Sequence, residues 1–315
     1  MKLLLIIVAV LIGLFLLLEV GLRLFWGFGN PLIYIADEKI GYLLAPNQKT
    51  KRFGNRISIN EYSMRSAAIA KQRPPSTLRV FLLGDSIVNG GWWTDQEQTL
   101  SGLIANQLKT HTGKEKAPLE KIEVINASAN SWGPRNEVAY LQRFGIFESQ
   151  ALVVVINTDD LFGTAPTSVP VGRDRFYPSQ KPPLAIVEAI TRFSRYQPPA
   201  EMAAVNAEKG DRVGFNLEAI GKIQEIVKQT DTQFLLVMTP LLREVSNPGP
   251  RDYEIKARDR LIEFTKEQQI TYIDFLPIFK ETETPETLYR DHIHLSPEGN
   301  KKVTEVISQW LLVVG

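Results

Sequence analysis

Cysteine is absent from this chain of 315 residues, and only three histidines occur. Without cysteine there is no disulfide, no thiolate metal site and no lipid anchor on a cysteine sulfur. The compartment stays open, although an exported chain lacking cysteine escapes stray oxidation. An excess of one charge is also missing. The 36 basic and 35 acidic residues leave a net charge of +1, which gives no signal for nucleic acid or an acidic partner. No internal repeat is visible, so repeat architectures are set aside. What the chain has is apolar content, 44% of its residues, enough to bury a sizeable core. Its length suits one large α/β domain or two small ones.

The longest apolar run comes first. Leu3 to Leu18 contains no polar side chain, and with Glu19 admitted the run reaches Leu22. That is long enough to cross a bilayer with some thinning or snorkelling. Lys2 precedes it, Arg23 closes it, and Trp26 would sit at headgroup level. A cleaved signal peptide needs small residues before the cut, and Gly27 and Gly29 lie far downstream. A buried soluble helix would show a polar face, which this run lacks. Residues 1–29 therefore read as an uncleaved membrane anchor. Positive charge is nearly balanced across the run, and the folded part is expected outside the cytoplasm, periplasmic or extracellular.

Residues 30–78 form a polar, turn-rich lead-in to the core. Arg56-Ile57-Ser58-Ile59 alternates as a half-exposed strand does. Lys49, Lys51, Arg52 and Arg56 carry no acidic residue among them; lipid phosphates or an anionic polymer could face them, but a solvated face is the simpler expectation. From Val80 onward, strand and helix patterns alternate. Apolar runs at Val80–Leu83, Ile122–Ile125, Leu152–Ile156, Phe234–Met238 and Ile270–Ile273 read as five strands, which implies a parallel sheet covered on both faces. Proline and aromatic residues break this rhythm from 161 to 214. That insertion follows the third strand, so it emerges on the edge where ligands collect. It is read either as a lid or acceptor-binding cap, or as a surface elaboration.

The chemistry gathers around Arg79 to Gly91. The apolar half is a strand buried on both faces, Gly84 allows a tight turn, and Ser86 follows just past the strand end. A serine there is a nucleophile only if a base reaches it. Two of the histidines stand together near the C-terminus, in Asp291-His292-Ile293-His294. A carboxylate three residues before a histidine can orient its ring and stabilise its charged form. In the plainest alternative, Ser86 caps the next helix and His294 is a surface histidine. His292 and His294 with Asp291 are also a conceivable metal set, though no further ligand motif supports it.

Gly84-Asp85-Ser86 together with Asp291-x-x-His294 resembles the SGNH (GDSL-type) hydrolase family. The resemblance covers about residues 31–314 and places the hydrolase-like domain at 79–315. It implies a flavodoxin-like three-layer α/β/α sandwich with a five-stranded parallel sheet. It further implies Ser86 as nucleophile, His294 rather than His292 as base, Asp291 as its orienter, and no metal or cofactor. The oxyanion donors would be the Ser86 N–H, the N–H of Ser131 where the family has glycine, and the amide of Asn130 beside it. Asp159 stands where the family carries a donor asparagine. An ionised carboxylate only accepts hydrogen bonds, so this is the main departure. Asp160 matches a following structural aspartate.

An anchor followed by a lead-in is similar to membrane-bound bacterial members. Several of these trim or add O-acetyl groups on cell-surface polysaccharide. An acetylated glycan is then the implied acyl-ester substrate, and polysaccharide-assembly proteins are the implied partners. A lysophospholipase or thioesterase is the alternative among enzymes, and a catalytically silent SGNH-fold binding module is the alternative outside them. Trp92 and Trp93 could stack on sugar rings or simply pack a loop.

Overall fold

The computed structural model describes residues 1–112 and 121–314. At its centre β5, Thr77–Gly84, lies between β6, Lys121–Ser128, and β7, Ala151–Asn157; β8, Gln233–Thr239, and β9, Thr271–Asp274, complete the sheet. All five strands are parallel, in the order β6-β5-β7-β8-β9, the flavodoxin-like order. A strand in this position has no wet face. Val80 and Leu82 therefore point to one side of the sheet and Phe81 and Leu83 to the other, all fully buried.

The two faces are covered separately. On one, Val80, Leu82, Val153 and Val237 pack with Leu100, Ile104 and Leu108 of α3, Leu100–Thr112, and with Val303 and Ile307 of the C-terminal helix. The spacing of four along α3 puts its three apolar residues on a single stripe facing the sheet. On the opposite face Phe81, Leu83, Val154 and Leu236 pack with Val138 and Leu141 of α4, Pro134–Phe144, and with Ile220 and Leu261 of the two long helices that follow. The lead-in joins this second face as two hairpins, β1 (Tyr34–Asp37) with β2 (Gly41–Leu44) and β3 (Gln48–Arg52) with β4 (Asn55–Ile59). Ile57 and Ile59 point inward and Arg56 outward, the alternation expected of a half-exposed strand.

The basic cluster of the lead-in divides. Lys49 and Lys51 are exposed, and Arg56 pairs with Asp95 at the surface. Arg52 departs from the expected solvated face: it is 1% exposed and bonded to Glu188 at 2.5 Å. Its partner lies in the insertion, on α5 (Ala185–Phe193), so a buried charge pair ties the lead-in to the insertion.

The N-terminal run forms α1, Lys2–Gly21, and continues through Leu22–Trp26 to Gly27, which takes a left-handed conformation. This helix is long and apolar enough to cross a membrane, with a mean hydropathy of 3.2 over its most apolar window. Glu19 is the exception within it. Its carboxylate is buried and accepts the N–H groups of Ala185 and Ile186, the free donors at the start of α5.

Candidate active site

Ser86 sits where β5 ends. The turn needs Gly84, because a Cβ there would lie 2.5 Å from the Val155 carbonyl oxygen of the neighbouring strand. The short helix α2, Ser86–Asn89, follows at once, and Asp85 caps it by accepting the Ile87 N–H. Capping thus falls to Asp85, and the Ser86 hydroxyl, at a long 3.4 Å from Asp85 Oδ2, is not needed for it. Arg65, fully buried, holds the loop beyond α2 by donating to the carbonyls of Asn89, Gly91 and Thr94.

The C-terminal motif arrives at the same point. His294 Nε2 lies 2.9 Å from Ser86 Oγ, and His294 Nδ1 lies 2.8 Å from Asp291 Oδ2. Asp291 also accepts the backbone N–H groups of Ile293 and His294, which fixes the carboxylate beneath the ring. Partial burial pushes the Asp291 carboxyl upward, but these N–H groups and the imidazole outweigh it and hold it below the ordinary range. His292 points elsewhere: its side chain is 83% exposed and its ring is 3.9 Å from Asp291. Among the described residues no group of His, Asp and Glu side chains is arranged to hold a metal ion.

The remaining expected residues separate. Ser131 has φ 58°, the left-handed region that favours glycine, which accounts for the family preference at this position. Its hydroxyl accepts a 2.9 Å hydrogen bond from Tyr177. The Asn130 backbone carbonyl accepts the Tyr42 hydroxyl, while the Asn130 side-chain oxygen is buried and finds no donor among the described residues. Asp159 is exposed and lines a cavity that Ser86 and His294 also line. Desolvation raises its carboxyl, with Arg243 opposing.

Beneath Ser86 lies a network that the sequence did not reveal. Asn157 Nδ2 donates to both Asp85 and Asp160, at 2.8 and 2.9 Å, while Asp160 also accepts the Asn157 N–H. Burial pushes the Asp85 carboxyl up to about 6 and the Asp160 carboxyl well above its ordinary value. Glu137 is fully buried behind them, and among the described residues neither of its oxygens has a hydrogen-bond partner.

Two cavities meet at this point, of about 390 and 640 Å³. Ser86, Ser131, Tyr177 and His294 line both, so the two cavities adjoin at the serine. The insertion contributes Asp174, Tyr177 and Tyr196 to their walls. Trp93 packs edge-on against the His294 ring, with centroids 4.6 Å apart, and Trp92 packs on Trp93.

The model of the GDSL-like lipase/acylhydrolase family matches residues 82–302. Among curated proteins none matches the chain in sequence. An acetyl xylan esterase structure is 15% identical over 75% of this chain and 100% of its own, with a TM-score of 0.50. A lipase/acylhydrolase from Enterococcus faecalis is also 15% identical, over 74% of this chain and 95% of its own, with a TM-score of 0.49. The first of these likenesses concerns the fold alone.

Proposed function

The chain belongs to the GDSL-like lipase/acylhydrolase family and is a serine ester hydrolase, and from that premise we propose that Ser86 is its nucleophile, His294 the general base and Asp291 the orienter. The observation that carries this reading is the unbroken relay from Ser86 Oγ through both His294 nitrogens to Asp291. His294 Nε2 takes the hydroxyl proton as Ser86 Oγ attacks the acyl carbon. Asp291 holds the proton on Nδ1 and stabilises the imidazolium that forms. The N–H groups of Ser86 and Ser131 then face the developing oxyanion, each such donor being worth about 3–4 kcal/mol. Collapse expels the alcohol, which takes the proton from His294, and water or a sugar hydroxyl completes the cycle.

The substrate class we favour is an O-acetylated glycan at the cell surface. The two adjoining cavities at Ser86 support this, because together they offer more room than a single acyl group needs. The apolar helix α1 serves as the anchor, with the domain outside the cytoplasm. Lysophospholipase or thioesterase activity is the alternative. A series of 4-nitrophenyl esters separates these readings. Acetate should be the preferred acyl group, and a clear preference for chains of about eight carbons or more would contradict a glycan substrate.

A further inference from the structure

Three arginines, Arg52, Arg175 and Arg192, line the cavity of about 390 Å³ that reaches Ser86 from the side of the insertion. Two of them have hydrogen-bond partners. Arg52 donates to the Gly27 carbonyl and to Glu188. Arg175 donates to the carbonyls of Thr191 and Ser194 at the end of α5.

Arg192 differs. Its nearest carboxylate oxygen, on Glu188, is 3.9 Å away, and that carboxylate already serves Arg52 and the Gly29 N–H. Among the described residues the Arg192 guanidinium finds no hydrogen-bond acceptor at any nitrogen, whereas Arg175 lacks one at its buried Nε but has two at Nη1. It lies 5.4 Å from the Trp92 ring centroid. Trp92 packs on Trp93, which packs on His294, so two aromatic rings stand between this cation and the base.

The surrounding charges do not balance. Asp174, the other carboxylate of this wall, accepts the Phe176 N–H and the Tyr196 hydroxyl. Burial, and then the neighbouring Arg52, disfavour the charge on Arg192; Glu188 partly offsets them, and Arg175 adds to the repulsion. A partly desolvated guanidinium beside like charges gains most from an anion that can accept its forked donors.

We propose that Arg192, backed by Arg175, is a subsite for an anionic group, phosphate or carboxylate, carried by the acyl-ester substrate. The proposal rests on the reading of Ser86 as the nucleophile of this cavity. A groove of about 240 Å³ continues from the same two arginines and is lined by Phe176, Pro182, Pro183 and Val187. It ends near the anchor, where Arg23 donates to the Pro183 carbonyl. A lipid phosphate would lay its tail there; an acidic sugar would leave the groove unused.

The test is calorimetric titration of the full-length Ser86→Ala protein, in a neutral detergent, with inorganic phosphate, glucuronate and dodecyl phosphate. At least one should bind, and adding Arg192→Gln should weaken that binding by about tenfold or more. Arg192→Lys, which keeps the charge but loses the fork, should fall between the two. Dodecyl phosphate binding about tenfold more tightly than phosphate identifies a lipid source, and glucuronate binding most tightly identifies an acidic sugar. No binding of any probe, or binding unchanged by Arg192→Gln in a protein with an unaltered melting curve, overturns the proposal. Because titration needs no turnover, the subsite can stand even where Ser86 proves unreactive, which separates the two failures.

Discussion

The carboxylate of Glu19, in the last turn of the apolar helix, accepts the N–H of Ala185 at 2.8 Å across 166 residues of chain. It also pairs with Arg23, so one side chain joins the N-terminal helix to the helix that carries Arg192. Glu19→Ala removes the acceptor and leaves the start of α5 uncapped. Limited proteolysis of the detergent-solubilised protein should then cut within about residues 181–206, while the five-stranded core resists. An unchanged cleavage pattern would show that Glu19 does not hold the insertion in place.

The resemblance puts Asp159 where the family carries a donor asparagine, yet the residue is exposed and its carboxyl is raised. Asp159→Asn should keep or raise the esterase rate, since it places a neutral amide at the same size. Should the protonated form assist wild-type turnover, activity falls as pH rises through its titration, and the asparagine variant loses that fall. A loss of about a hundredfold, the scale of a missing oxyanion donor, would show instead that the site needs the carboxylate.

Glu137 predicts a pH dependence of stability. Its carboxyl is raised well above 4.5 by burial and by Asp85. The folded state therefore holds a proton that the unfolded chain releases, and this contribution to stability falls as pH rises above the ordinary carboxyl value. Denaturant unfolding of wild type and Glu137→Gln, compared between about pH 5 and 8, should show the variant losing less stability. Parallel curves would mean that Glu137 is not protonated in the folded protein.

Tyr177 holds Ser131 through its hydroxyl. Tyr177→Phe removes one hydrogen bond of about 0.5–1.5 kcal/mol, so the esterase rate should fall by about three- to tenfold with the fold intact. An unaltered rate would remove Ser131 from the oxyanion site.

Much of this was legible in the sequence, for local reasons. Val80–Leu83 reads as a buried strand because four successive apolar residues leave it no wet face. Ser86 and His294 read as a pair because each lies in its own short motif. What escaped depends on distance along the chain. Arg52 looked solvated because its partner, Glu188, lies 136 residues away. Tyr177 and Arg192 sit in an insertion whose prolines erase any periodicity, so nothing local marks them as walls of the site. The left-handed backbone at Ser131 is signalled only by the family's glycine at that position, since serine itself gives no sign of it.

The most direct measurement is labelling of the full-length protein by a fluorophosphonate, which reports an activated serine without assuming a substrate. Labelling should map to Ser86, and Ser86→Ala should abolish it with the melting curve unchanged. His294→Ala should reduce it by about 10⁴-fold or more, because the hydroxyl loses its base. A folded wild-type protein that stays unlabelled, or a label on another serine, would contradict the assignment.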